Sequence, residues 1–563
     1  MKHKKKNRFG RFLLYLLVVI ILATGAFTIW FHFDTQIKPP DIRDMSALKL
    51  QRDSIGPGYY TIGNNWLRKN KYGLWEMYLE GSPFDMGVVN GKLTKELIYQ
   101  QEKAFVEQIN IMVPSPTYLK FLKYFIAFFN RDIDEYILPE YKQEIYGISF
   151  SASHEFDYIG SNYERMLNYH AAHDIGHALQ DLMLVGCTSF AANLGYSDSS
   201  LIIGRNFDFY VNDDFAKNKI IVFVNPKKGN KFAYITWASM IGVVSGMNDK
   251  GLTVTLNAGK SDIPFKAATP ISLLAREILQ YAGNINQAVA IAKKRKIFVA
   301  ESLLIGSAAD NTAVIIEKSP TKMDVYKADN HYLVCANHFQ GQTFMQDENN
   351  IERIKEAYSI DREERADELL ASKDTTDYLM AAKILRDRKG LKGESIGIGN
   401  EKAMAQMISH HSVIFEPLHQ WMWVSTYPYQ LGRYLAYNLT SVFNHPQATL
   451  HSGLFDSTLT IPEDPFFHSG TFKKYLKYKV QRKQLQQFIS SGIKLRNETA
   501  YIRNFIQLNP DRYQGYVLAG DYYAGQGNKE KALKFYRFSL TKDIDKTSQR
   551  KKIEDKIGKL KDH

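Results

Sequence analysis

The chain has 563 residues, 45% hydrophobic, 23% charged and 13% aromatic, an ordinary globular composition that excludes collagen-like, disordered and polytopic membrane classes. At roughly 100–200 residues per domain the length corresponds to about three domains, and two cysteines exclude a disulfide scaffold or a thiolate zinc site. The net charge of +13 is uneven: residues 1–11 carry six basic and no acidic side chains and residues 471–563 carry 22 basic and 9 acidic, which leaves 12–470 at −6. No basic groove is implied for the main body, so nucleic acid is not an expected partner.

Lys2, Lys4, Lys5, Lys6, Arg8 and Arg11 precede an apolar run over 12–33 whose strongly polar side chains are Thr24, Thr28 and His32. That length suits a membrane-spanning helix with its cationic end in the cytoplasm, which predicts a membrane partner through 12–33 and an extracytoplasmic catalytic domain. A cleaved signal peptide is the competing reading, with Ala23, Gly25 and Ala26 as small residues for a cleavage site. The anchor is favoured because Phe27, Ile29, Trp30 and Phe33 continue the apolar run beyond them.

Residues 34–74, opened by Pro39 and Pro40, read as an exposed linker. The stretch 78–91, Tyr-Leu-Glu-Gly-Ser-Pro-Phe-Asp-Met-Gly-Val-Val-Asn-Gly, reads as a strand turning into a helix that runs to 111. Helical patterns over 134–210 alternate with strands at 186–192 and 201–204, and further strands are predicted at 220–225 and 232–237. A hairpin follows in which 239–245 and 252–256 flank Gly-Met-Asn-Asp-Lys-Gly. Residues 272–300 have helical spacing, strands return at 303–306, 313–317, 323–327 and 332–336, and 351–389 is helical. A last hairpin joins 412–415 to 421–425. Strands and helices arrive in blocks, which points to α+β layers.

From 471 the period is helical throughout. Asn509-Pro510-Asp511 followed by Tyr516, Leu518, Ala519, Gly520, Tyr523, Gly527, Ala532, Tyr536 and Leu540 fits the tetratricopeptide pattern, small residues where paired helices touch and aromatics where they interlock. One and a half such repeats cannot sustain a solenoid, so the segment either docks on the main domain or offers a site for a protein partner.

The chemistry concentrates in Gly186-Cys187-Thr188-Ser189-Phe190 and, across a turn, Gly204-Arg205-Asn206-Phe207-Asp208. Pairing of these strands would bring thiol, guanidinium and carboxylate together. A cysteine freed at its own amino group carries a base of pKa about 7.7–8.0 beside the thiol, which permits nucleophilic catalysis near neutral pH without a histidine. Each residue also has a plainer use: Cys187 as a small buried side chain, Arg205 and Asp208 as a structural ion pair, Asn257 and Asn337 as turn or strand-end amides. Cys335 is read as packing, and Trp237, Trp421 and Trp423 as core in preference to the wall of an acyl pocket. His170, His173 and His177 with Asp174 share a helical pattern, but the spacing is not His-Glu-x-x-His, and no metal is expected.

These motifs resemble the choloylglycine hydrolase and penicillin acyltransferase group of N-terminal-nucleophile hydrolases, cysteine amidases of the linear-amide class to which acid ceramidase is related. The resemblance spans residues 75–430. It adds Gly246-Met-Asn-Asp-Lys-Gly-Leu-Thr-Val-Thr-Leu-Asn257, similar to a hairpin that closes on an oxyanion-hole Asn, and Cys335-Ala-Asn337-His-Phe, similar to a later active-site strand. It implies a four-layer αββα sandwich over 75–470, self-cleavage between Gly186 and Cys187, and a catalytic set of Cys187, Arg205, Asp208, Asn257 and Asn337 with no cofactor. The implied substrate is a small N-acyl amide, amphipathic if the anchor holds the enzyme at a bilayer. Acyl transfer through the same acyl-enzyme, and an inert tethered scaffold acting through its C-terminal repeats, are the alternatives. The Cys187 to Arg205 interval is longer than in bile-salt hydrolases, and their distal Arg has no counterpart in the motifs.

Overall fold

The computed structural model describes residues 3–112, 115–178, 184–210, 214–260, 266–447 and 453–561. Its architecture is α+β, built on two large sheets. The first has eleven strands, in the spatial order Asp53–Gly56, Tyr59–Ile62, Asn65–Lys69, Trp75–Gly81, Ile220–Pro226, Phe232–Thr236, Ser245–Asn248, Leu252–Ala258, Glu301–Ser307, Thr312–Lys318 and Met323–Tyr326. Its pairings are antiparallel except that Trp75–Gly81 runs parallel to Ile220–Pro226, the join between the N-terminal strands and the rest of the sheet. The second runs Tyr332–Cys335, Thr188–Ala192, Ile202–Tyr210, Ser409–Glu416, Trp421–Ser425, Tyr434–Asn438 and Phe455–Ile461, with Leu184–Val185 added against Ile202–Tyr210.

The burial pattern explains the stacking. Phe223, Ile235, Leu304 and Ile315 of the first sheet share a core with Ile203, Val413, Met422 and Val424 of the second, so one apolar face of each sheet meets the other. The opposite face of the first sheet packs Val222, Tyr234, Val254 and Leu303 on Leu273, Leu274 and Ile278 of the helix Ile271–Tyr281. Across the second sheet, Phe190, Ile202, Ile414 and Trp423 meet Ala366, Leu370, Ala381 and Leu385 from the helices Tyr358–Ala371 and Tyr378–Leu385.

Three expectations change. Residues 53–69, read as linker, form three strands at one edge of the first sheet and carry the fully buried Trp66. The helical stretch 272–300 is two helices, Ile271–Tyr281 and Ile285–Lys294, broken at Gly283 and capped by Asn284, whose side chain accepts from Gln287 N. The anchor is the third: a helix does form over His3–Asp34 with Phe12 to Leu22 exposed, but among the described residues no helix is long and apolar enough to cross a membrane. The expected membrane anchor and extracytoplasmic placement are therefore withdrawn.

The C-terminal helices Gly470–Ser490, Glu498–Gln507, Tyr513–Gly525, Lys529–Ser539 and Thr547–Lys561 share one core with Ala405, Met407, Tyr429 and Leu431 of the main body. Gly520 is the close-approach point, since a Cβ there would lie 2.4 Å from the Tyr536 ring. Asn509 clasps Ile398 by both backbone groups (3.1 and 2.9 Å), and Asp545, paired with buried Arg512, accepts from Glu401 N. Segment 396–407 is thereby clamped between the sheets and the C-terminal helices.

Candidate active site

Cys187 sits just before the strand Thr188–Ala192, fully buried. The neighbouring strand Ile202–Tyr210 pairs Ser189 with Arg205 and Thr188 with Asn206, which sets Arg205 and the Cys187 side chain near each other. Arg205 Nη2 lies 3.6 Å from Cys187 Sγ. The guanidinium is fixed on its other edges: it donates to the carbonyls of Val244 (2.8 Å) and Leu256 and to Ser245 Oγ, and stacks 4.4 Å from the Phe207 ring centroid. A planar fork suits four converging acceptors in a way a single ammonium cannot.

Burial pushes the Cys187 thiol up to about 11, a larger effect than the downward pull of Arg205. In the intact chain the sulfur is therefore a thiol at neutral pH, not the thiolate that an arginine neighbour alone would favour. Asp208, three residues along the same strand, is likewise pushed up by burial to about 7, against the opposing effects of the Ser409 hydrogen bond, Arg362 and Arg205. Ser409 is opposite Asp208 in the sheet register and donates to its carboxylate.

The two asparagines hold the sheets together at this point. Asn257 ends a strand of the first sheet and donates to the carbonyls of Cys335 (2.8 Å) and Ala336 (3.1 Å), while its Oδ1 accepts from Ser189 Oγ (3.0 Å). Asn337, just beyond the second sheet's strand Tyr332–Cys335, donates back to Ala258 O (3.0 Å). The sequence motifs thus converge on one locus, but in the intact chain both amides are occupied by backbone carbonyls. Cys335 is buried and free of any disulfide.

Several residues at the locus had no sequence signal. Arg362, fully buried on the helix Tyr358–Ala371, donates to Asn337 Oδ1 (2.6 Å) and to Glu401 O (3.1 Å). Gln406 donates to Gly186 O (2.5 Å) and to Asp208 Oδ2 (3.3 Å). Glu301, at the start of its strand, has its carboxyl raised well above the usual range by burial, with Asp174 adding to the effect. Behind Arg205, Ser245 Oγ contacts His411 Nε2 (2.8 Å), whose Nδ1 contacts His410 Nδ1 (2.9 Å). Burial holds both imidazoles well below their ordinary range and hence neutral.

Of the weighed metal cluster, His170 Nε2 accepts from Ile241 N (3.0 Å) and Nδ1 faces Met166 O (2.7 Å), while Asp174 accepts from Ile271 N (3.0 Å). These are structural uses. The side chains of His173 and His177 lie outside the described residues, and no group of three or more His, Cys, Asp or Glu that could hold a metal occurs among the described ones.

Two substitutions test this packing. A Cβ on Gly186 would lie 2.5 Å from Gln406 Oε1 and 2.9 Å from Arg362 Nη1, so Gly186→Ala is expected to push both away and, for the cut that the motifs lead one to expect between 186 and 187, to slow it by about tenfold, near 1.4 kcal/mol of lost alignment, read by peptide mapping over time. Lys219, fully buried with Ser425 O at 3.2 Å, is pulled down by burial to about 7 from 10.5. A depressed ammonium penalises the fold fully below pH 7, and the penalty disappears as pH rises towards 10.5. Lys219→Met is accordingly expected to add about 3 kcal/mol of stability below pH 7, fading at alkaline pH, in denaturant unfolding of an uncut chain.

Residues 196–418 match the family model Acyl-coenzyme A:6-aminopenicillanic acid acyl-transferase. The group read from the motifs is borne out. The match takes in Arg205, Asp208, Asn257 and Asn337 and begins after Cys187. An uncharacterized protein of Archaeoglobus fulgidus is 26% identical over 280 residues, 46% of either chain, and Protein dcd1B of Dictyostelium discoideum is 24% identical over 270 residues, 45% of this chain and 51% of its own. The chain spans about half the length of the curated relatives it matches. Among solved structures, the Caenorhabditis elegans ortholog of N-acylethanolamine-hydrolyzing acid amidase is 19% identical, with 41% of this chain and 93% of its own covered and a TM-score of 0.30. A mutant conjugated bile acid hydrolase from Clostridium perfringens is 13% identical, with 45% and 93% covered and a TM-score of 0.32.

Proposed function

We propose that this chain hydrolyses linear N-acyl amides through Cys187, made an N-terminal residue by scission of its own Gly186–Cys187 bond. The observation that carries the reading is the buried guanidinium of Arg205 3.6 Å from the Cys187 sulfur, next to a peptide bond whose glycine carbonyl already receives a hydrogen bond. Self-cleavage begins when Sγ attacks the Gly186 carbonyl carbon. The C–N bond breaks as the α-nitrogen takes up the thiol proton, and water hydrolyses the thioester to leave a free α-amine on Cys187.

In turnover that amine accepts the thiol proton while Sγ attacks the substrate carbonyl. The acyl thioester forms, the amine leaves protonated, and water releases the acid. Arg205 lowers the cost of sulfur's negative charge, and Asp208 accepts a hydrogen bond from the α-ammonium. Asn257 and Asn337 serve the oxyanion and the scissile amide once they exchange the carbonyls they now hold, and Arg362, bound to Asn337, is the candidate for the missing distal arginine.

A second reading, transfer of the acyl group to an amine in place of water, is favoured by the acyl-transferase model that matches 196–418. The three cores bounding two stacked sheets support the four-layer αββα sandwich, and the aromatic and small-residue contacts of the C-terminal helices support a degenerate tetratricopeptide module docked on 396–407. Peptide mapping of the purified protein, followed by a screen of N-acyl amides with water or added amines as acyl acceptor, tests the proposal. A chain still joined at 186–187 when the fold is native, and inert towards every amide, would leave the scaffold reading.

A further inference from the structure

Gln406 is a polar side chain 2% exposed, aimed at a backbone carbonyl in a site otherwise built for chemistry on Cys187. Its Nε2 donates to Gly186 O at 2.5 Å and to Asp208 Oδ2 at 3.3 Å, so both amide hydrogens are committed, one to the carbonyl that Sγ would attack. We infer that Gln406 is the oxyanion donor of the self-cleavage step; this rests on the self-cleavage proposed above and adds a catalytic residue to it.

The chemistry requires such a donor. When the C–S bond forms, the Gly186 carbonyl electron pair moves onto oxygen, and a fixed N–H within hydrogen-bond range stabilises that charge before the C–N bond breaks and the thiol proton passes to the departing nitrogen. Asn257 and Asn337 spend their amides on Cys335, Ala336 and Ala258, whereas Gln406 already donates to the Gly186 carbonyl.

Three features hold the donor in place. Met407 has φ 59°, a left-handed conformation that a non-glycine residue adopts at a cost and that its surroundings sustain. Segment 396–407 is clamped from outside by Asn509 and Asp545, and Asp208 fixes the amide plane from inside. The C-terminal helices thereby anchor the segment that delivers the donor.

The experiment follows cutting of freshly synthesised full-length chain by mass spectrometry, with Cys187→Ala as the uncut control. Gln406→Met, close in shape but without a donor, is expected to slow scission by about 10²–10³-fold. Gln406→Glu should be equally slow at pH 8 and recover relative to wild type as pH falls to 5, because a protonated carboxyl regains an O–H donor; Asp208, Arg362, Arg205 and Cys187 are the ionisable groups around it. Gln406→Met cutting within about threefold of wild type overturns the inference, and so does a slow Gln406→Glu chain with no recovery at low pH, the mark of lost packing alone. Wild-type chain that never cuts at 186–187 overturns the proposed function itself, a result distinct from either.

Discussion

Cys187→Ala is expected to leave a single uncut chain that hydrolyses no N-acyl amide, with activity at least about 10⁴-fold below wild type. Removing Sγ takes away the attacking atom of both reactions at once, so cutting and turnover disappear together. The fold should survive. Cys187 is fully buried, and trading its sulfur for a small void costs about 1 kcal/mol, set by the transfer and cavity terms of one heavy atom. Arg205 loses one contact and keeps those to Val244, Ser245 and Leu256. Cys187→Ser separates the two roles of the residue. A hydroxyl is a weaker nucleophile than a thiol, so this chain should cut slowly and turn over poorly. The decisive outcome is a cut or active Cys187→Ala chain, which would remove Cys187 from the chemistry and leave only the architecture standing.

The sequence made part of this site readable for a physical reason. Cys187 immediately precedes the strand Thr188–Ala192, and Arg205 and Asp208 lie on the next strand, Ile202–Tyr210, so local pairing alone brings Ser189 opposite Arg205. Asn257 and Asn337 end strands in different sheets, and sequence motifs pointed to them without fixing where their amides go. Gln406, Ser409 and Arg362 were unreadable. They lie more than 150 residues downstream of Asp208 or Cys187: Ser409 reaches the site because Ser409–Glu416 pairs with Ile202–Tyr210, Gln406 because the C-terminal helices clamp 396–407, and Arg362 because the helix Tyr358–Ala371 packs across the second sheet. The strands over 53–69 were missed because Gly56, Gly58 and Gly63 break the alternation, and the buried Trp66 is set by sheet packing rather than by local pattern. At the N-terminus, composition suggested a span that the described helix does not supply.

Arg205→Lys is the second large effect expected, and it separates charge from geometry. Lysine keeps a cation but presents one nitrogen where Arg205 engages Val244 O, Ser245 Oγ, Leu256 O and Cys187 Sγ. At least one buried carbonyl is left without its donor, a loss of about 1–3 kcal/mol for each. The site also desolvates its occupant: burial lowers even the guanidinium's pKa, and an ammonium there would tend to lose its proton, as Lys219 shows at about 7. Both cutting and turnover should therefore fall at least about 10²-fold, and the unfolding midpoint should drop. The sign of the thiol's response is fixed as well. Arg205 pulls the Cys187 thiol down against burial, so the substitution should move thiol alkylation by iodoacetamide to higher pH. Alkylation that keeps its wild-type pH profile while activity falls would mean that Arg205 serves the fold and not the sulfur, and the observation on which the proposed function rests would lose its chemical meaning.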